Sequence, residues 1–232
     1  MNAPARTPPI HAMPFVRIEL AAFAVVDGGL QVLLGRRAEA PYAGRWALPG
    51  GVLRIDLDAD LDAACQRVAQ ERLGVGLPGA TQLMAVGGKS RDSRAPWALS
   101  VVYRCTTSAA QLAAVPGKRM AELKWVDAES AAADARLAFD HATLVEQAVQ
   151  QLRAEVAMLK FPAGMLDESF TLGELQAASE VVLGHPLDKS SFRRRLDSAG
   201  VVQPIPGELR TGPNRPAQVF RLAATQSVSE QG

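Results

Sequence analysis

Residues 50–75 read GGVLRIDLDADLDAACQRVAQERLGV. Gly50 and Gly51 lead into a short apolar run, VLRI (52–55), with the character of a strand. Asp56, Asp58, Asp60 and Asp62 then alternate through a polar stretch. From Asp60 to Leu73 the spacing predicts a helix: Leu61, Ala64, Cys65, Val68 and Leu73 can share one face, and Gly74 is placed to stop it. Positions 68, 71 and 72 stand at i, i+3 and i+4, so they share a second face. That face carries an alkyl group (Val68), an acid (Glu71) and a base (Arg72), with no net formal charge.

Outward from this stretch the chain alternates strands and helices. FVRIELAAFAVV (15–26) and LQVLLGRR (30–37) read as strands joined by a hairpin turn at Asp27-Gly28-Gly29. PYAGRWALPGG (41–51) reads as a loop broken by Gly and Pro. TQLMAVGG (81–88), PWALSVVYRCTT (96–107) and MAELKWVDA (120–128) read as further strands. A last helix is expected from Phe139 to Leu159, with Asp140 placed to cap its start. Strands with helices between them imply an α/β sandwich over residues 14–159. Residues 1–13 and 225–232 are expected to be disordered, and 160–170 to be a linker.

The pattern changes in residues 171–224. Thr171-Leu-Gly-Glu174 is a capping box, a hydroxyl for the first free amides with a carboxylate three residues on. Leu172, Leu175, Val182 and Leu183 follow at helical spacing, and Gly184 and Pro186 end that helix. Asp188 can cap a second helix, on which Phe192, Leu196 and Ala199 share an inward face and which Gly200 stops. VVQPI (201–205) and AQVFRL (217–222) read as strands of a hairpin. Helix, turn, helix and hairpin is the order of a winged helix-turn-helix.

Charge sharpens this reading. The chain of 232 residues has a formal net charge of only +1. Yet Lys189, Arg193, Arg194, Arg195, Arg210, Arg215 and Arg221 crowd one stretch, with only Asp197 and Glu208 among them. With Phe192 set inward, Ser190, Arg194, Asp197 and Ser198 point away from the core, flanked by Arg193 and Arg195. Lys189, Ser190, Ser191, Arg193, Arg194 and Ser198 can reach phosphates and base edges, and Arg210 and Arg215 fall in the hairpin. Double-stranded DNA is the expected partner. There are two cysteines, Cys65 and Cys105, with no short paired spacing, which argues against a disulfide framework or zinc site and fits a cytoplasmic protein. No apolar run is long enough to cross a bilayer.

RWALPGGVL together with RVAQERLGV resembles the Nudix box, G-x5-E-x7-R-E-U-x-E-E-x-G-U with U aliphatic. Gly51 opens the match, Arg67 supplies its arginine and Gly74-Val75 close it, over a longer interval than the box prescribes. The resemblance implies that glutamates at positions 68, 71 and 72 would hold divalent cations; only Glu71 is retained. No catalytic and no metal-binding residue is therefore expected, and no cofactor is required. A degenerate Nudix domain followed by FTLGELQAASEVVLGHPLDKSSFRRRLDSAGVV and RPAQVFRL resembles the NrtR-type regulators of NAD metabolism. That family implies a homodimeric repressor on a palindromic operator, released by ADP-ribose or a related nucleotide bound in the pocket. It implies ligand contacts from Arg37, Trp46, Arg94, Asp140 and His141. Arg72, beside Glu71, stands where a cation would meet the diphosphate, and its guanidinium can replace that cation. The alternative is an active nucleoside-diphosphate hydrolase with an appended basic module.

Overall fold

The computed structural model describes residues 14–26, 28–108, 112–211 and 216–223. Seven strands form one mixed sheet. At its centre lies β1 (Phe15–Val26), an almost wholly buried strand. It pairs in parallel with β6 (Trp97–Thr107) along its length, and β6 carries β5 (Thr81–Lys89) antiparallel on its far side. On its other edge β1 changes partner. Residues 17–19 pair with β4 (Gly50–Val52), and residues 23–26 pair with β2 (Gly29–Arg37). β2 in turn holds β3 (Trp46–Ala47) and β7 (Met120–Asp127). Where β1 passes from β4 to β2 the sheet splits, and that split makes room for a cleft.

Helix α1 (Leu61–Leu73) begins and ends as its sequence dictates. The Asp60 side chain accepts from the Ala63 amide, and Gly74 closes the helix with a left-handed backbone. Its buried residues Ala64, Cys65, Val68, Ala69 and Leu73 pack with Ile18, Leu20, Leu33 and Tyr103 on one side of the sheet. On the other side lie α2 (Ala128–Ala132), a short helix with no sequence forecast, and α3 (His141–Ala157). Three expectations need correction here. The 41–51 loop contains β3 and β4, the VLRI strand stops at Val52, and α3 starts two residues late because Phe139 has φ +57. Asp27 of the expected hairpin turn lies outside the described residues, as do the two termini.

The segment 160–170 is no free tether. Phe161 and Met165 are buried, and the Ala163 carbonyl accepts from the Thr106 hydroxyl at 2.5 Å. Gly164 permits this: a Cβ there would stand 2.1 Å from the Thr106 carbonyl oxygen. Phe170, fully buried, opens β8 (Phe170–Thr171), which pairs with β10 (Ala217–Leu222). β10 also pairs with β9 (Val202–Arg210), longer than the forecast VVQPI. The capping box forms as expected at the start of α4 (Leu172–Leu183), and Asp188 caps α5 (Lys189–Ala199). Phe192 and Leu196 are buried, but Ala199 is exposed at the helix end, so the inward face is two residues wide. Leu175, Val182, Phe192 and Leu196 join one apolar cluster with Leu144, Leu152, Leu159 and Phe161. The core of the first part runs unbroken into the second.

Candidate ligand cleft and nucleic-acid interface

The cleft at the split is lined by five guanidiniums and a single carboxylate, Glu39, with Gly50, Gly51, Val52 and Met120. Arg17 comes from β1, Arg37 from the end of β2, Arg72 from the last turn of α1, Arg94 from the β5–β6 loop and Arg119 from the turn before β7. It is a narrow recess partly open to solvent, with about 330 Å³ of free space counted out into that opening. Gly50 lets the Glu19 side chain and the β1 backbone come close, since a Cβ there would lie 1.9 Å from Glu19 Oε2 and 2.8 Å from Ile18 O.

Each guanidinium is fixed. Arg72 donates from Nε to the Gly50 carbonyl at 2.8 Å, and from Nη1 to Lys118 O and Glu71 Oε2, each at 3.2 Å. Arg37 donates to Pro41 O at 2.7 Å and lies 5.1 Å from the centre of the Phe139 ring. Arg94 grips both oxygens of the buried Asp92 and lies over Phe15. Burial pushes the pKa of Arg37 down, and the charges of Arg17 and Arg94 push it the same way. Burial likewise lowers Arg72, helped by Arg119, Arg17 and Arg67 and opposed by Glu71. Positive charge is crowded here beyond what its carboxylate partners offset, which favours an incoming anion.

Beneath the cleft sits a buried charged layer. Glu19 accepts from Arg17 Nε at 2.6 Å, and Arg17 reaches Asp92 at 4.0 Å. His141 accepts from the Leu48 amide at Nδ1, so its Nε2 carries the proton toward Glu19 Oε1, 3.7 Å away. Burial raises the Glu19 pKa, but Arg17 and His141 outweigh it and hold the carboxyl at about 2. Among the described residues, Glu19 Oε2 has no hydrogen-bond partner.

The structure thus gathers Arg37, Arg72 and Arg94 at one cleft, as the sequence suggested. Glu71 flanks it, paired with Arg67 and Arg72. Three other candidates are placed differently. Trp46 lines a separate depression with Leu34, Lys124, Val126 and Arg136. His141 is buried against Glu19 and Leu48, where it supports the cleft from below. Asp140 sits at the N-cap position without capping, because its backbone (φ −99, ψ 25) is not extended; its carboxylate accepts from Nε and Nη2 of Arg91 instead. Sequence reasoning missed Arg17, Glu19, Asp92, Arg119 and Phe139. Arg17 and Glu19 left a signal, two charges of opposite sign on one face of an otherwise apolar central strand, where a buried charge needs a partner.

On the second part, Lys189, Ser190, Arg193, Arg194 and Ser198 are exposed along α5, and Ser191 is half-buried with its amide capped by Asp188. Two guanidiniums depart from the expected face. Arg195 donates to Ala157 O at 2.6 Å. Arg210 is held by both oxygens of Glu174 at 2.7 Å and by Ser169 O, rather than standing free in the hairpin. Arg215 lies outside the described residues.

Fold and site together define a two-part protein: a Nudix-type sandwich with an anion-attracting cleft, joined through a shared core to a winged helix with a basic second helix. Family models agree, with the NUDIX domain matching residues 17–148 and the NrtR DNA-binding winged helix domain matching residues 162–222. The chain belongs to the NrtR family of Nudix-related transcriptional regulators. The ADPR responsive transcriptional repressor NtrR of Acinetobacter baylyi is 35% identical over 214 residues, 92% of this chain and 84% of that protein. NrtR of Shewanella oneidensis, solved in complex with a 27mer DNA, is 33% identical with a TM-score of 0.75, over 91% of this chain and 95% of that one. The NUDIX domain of the same protein, solved with ADP ribose, is 31% identical with a TM-score of 0.57, over 64% of this chain and 94% of that one.

The Nudix fold implies a divalent cation, and the residues here do not fit one. Mg2+ needs clustered oxygen ligands. Of the three metal positions only Glu71 is acidic, and its carboxylate is taken by arginines. The nearby aspartates are also engaged: Asp58 by Arg67, Asp56 by Arg54, Asp60 as a helix cap and Asp62 by the Tyr103 hydroxyl.

Proposed function

We propose that this chain is a DNA-binding transcriptional repressor of NAD-metabolism genes. Its Nudix cleft senses ADP-ribose or a related nucleoside diphosphate without hydrolysing it, and the bound ligand weakens operator binding. The observation that carries this reading is that a guanidinium, Arg72, stands at one of the three metal-ligand positions, and that Arg17, Arg37, Arg94 and Arg119 line the same recess, where a diphosphate would meet them. Guanidinium forks pair with phosphate oxygens through charge-assisted bonds, so no cation is needed to neutralise them. His141 acts on the cleft through Glu19 and Arg17, and Glu71 through Arg72, whereas the Asp140 carboxylate is spent on Arg91, which does not line the cleft.

The sensor comprises residues 14–159 and the DNA module residues 171–224. Lys189, Ser190, Ser191, Arg193, Arg194 and Ser198 present the DNA-reading face. Two copies in a homodimer read the halves of a palindrome. The ligand releases DNA by binding better to the arrangement that DNA disfavours. Incubation with ADP-ribose and Mg2+ tests the sensor reading: ligand binds, equally well in EDTA, and no AMP forms. Steady release of AMP would overturn it in favour of a hydrolase.

A further inference from the structure

Helix α3 touches both functional ends of the molecule. Its 17 residues span about 25 Å at 1.5 Å per residue. At its first turn Asp140 is gripped by Arg91 and His141 faces Glu19, which holds the cleft residue Arg17. At its last turn the final carbonyls need donors from elsewhere, because a helix leaves them without intrahelical partners. The backbone amides of Met158, Leu159 and Lys160 take the carbonyls of Ala154, Glu155 and Val156. The Ala157 carbonyl accepts from Arg195 of α5. In return, Arg153 of α3 donates to the Val182 carbonyl in the last turn of α4 at 3.0 Å, and also meets Glu129 of α2. Each part of the molecule thus sends an arginine to a helix end of the other, where a cation is favoured by the partial negative charge.

We infer that Arg195 is a positioning residue rather than a DNA contact: it fixes α5 to the C-terminal end of α3 and thereby couples the state of the cleft to the pose of the DNA-reading helix. All three arginines 193–195 are exposed, but of them Arg195 is the one whose guanidinium donates to the α3 carbonyl of Ala157. The inference rests on the sensor reading above. It adds that a ligand drawing Arg17 away from Glu19 disturbs the His141 end of α3, and that Arg195 is where the disturbance reaches the winged helix.

The test compares full-length wild type, R195A and R195K. Operator duplex, selected by the wild-type protein from random DNA, is bound with and without saturating ADP-ribose. In parallel, the ligand-free proteins carry spin labels at cysteines introduced at Gln150 and Ala199, both exposed, for a distance distribution between α3 and α5. R195A is expected to bind ADP-ribose within about twofold of wild type and ligand-free operator within about threefold. The factor by which ligand weakens operator binding is expected to fall by about fivefold or more, toward unity. The label distances should broaden, and R195K, which keeps a donor for the Ala157 carbonyl, should restore part of both. Loss of about tenfold in ligand-free operator affinity with an unchanged ligand factor would make Arg195 a DNA contact and overturn the inference. Unaltered label distances would overturn it too. A wild type indifferent to ADP-ribose would sink the sensor reading, while the label distances would still decide the role of Arg195.

Discussion

Replacing Arg72 with alanine separates a sensor held together by guanidiniums from a Nudix enzyme that needs metal. Arg72 lines the cleft with its Nη2 edge toward Gly51, while Nε and Nη1 are spent on Gly50 O, Lys118 O and Glu71. One edge of the fork is therefore available to a phosphate oxygen. A hydrogen bond to a charged group contributes about 1.5–3 kcal/mol, and each 1.4 kcal/mol is about tenfold in affinity. R72A is thus expected to weaken ADP-ribose binding by about 10- to 100-fold. The same change leaves the Gly50 and Lys118 carbonyls without this donor, at a stability cost of about 1–3 kcal/mol. Titration calorimetry at pH 7 in EDTA reads the first effect, and urea unfolding the second. R72K keeps the charge but not the fork and should fall between R72A and wild type. An affinity within twofold of wild type in R72A would refute the reasoning, as would wild-type binding that requires Mg2+.

Glu19 makes a pH prediction. Its folded carboxyl titrates at about 2 against an ordinary 4.5, so it stabilises the fold above pH 4.5 by about 3 kcal/mol, and this is lost as pH falls from 4.5 toward 2. The stability gap between wild type and Glu19→Gln should be constant from pH 7 to about 5 and close below it; a gap independent of pH would contradict the assignment. Arg194→Ala should weaken binding to all DNA sequences alike and reduce the salt slope by about 1, as expected of an exposed guanidinium that contacts phosphate; an unchanged slope would remove it from the proposed interface. Phe161→Ala, a buried truncation in the connecting segment, should cost about 3–5 kcal/mol and destabilise both parts in one unfolding transition; two separate transitions would show independent domains.

Much of this was legible in the chain because local rules carry it. The Asp60 cap, the capping box at Thr171 and Glu174, the Gly74, Gly184 and Gly200 stops and the apolar spacing of α1, α4 and α5 are short-range signals, and they hold. Failures arise where distant elements meet. The segment 160–170 has the Pro and Gly of a tether, yet Gly164 lets it dock on Thr106, some 57 residues away. Asp140 has the residue type of a cap, but Arg91 across 49 residues claims its carboxylate. Arg210 has the position of a wing tip, yet Glu174 holds it. The cleft was half visible: Arg37 and Arg94 stand in matching motifs and Arg72 where the Nudix box has a glutamate, whereas Arg17 and Arg119 join only because the sheet splits at β1.

The central claim is that a ligand in the arginine cleft controls the hold of the winged helix on DNA. Fluorescence anisotropy of the selected operator duplex, titrated with ADP-ribose at fixed salt and in EDTA, tests it most directly. The account predicts that operator affinity falls by about 5- to 150-fold at saturation, and that the midpoint shifts upward by about 10- to 100-fold in R72A. Operator affinity unchanged at saturating ADP-ribose, while calorimetry shows the ligand bound, would contradict it.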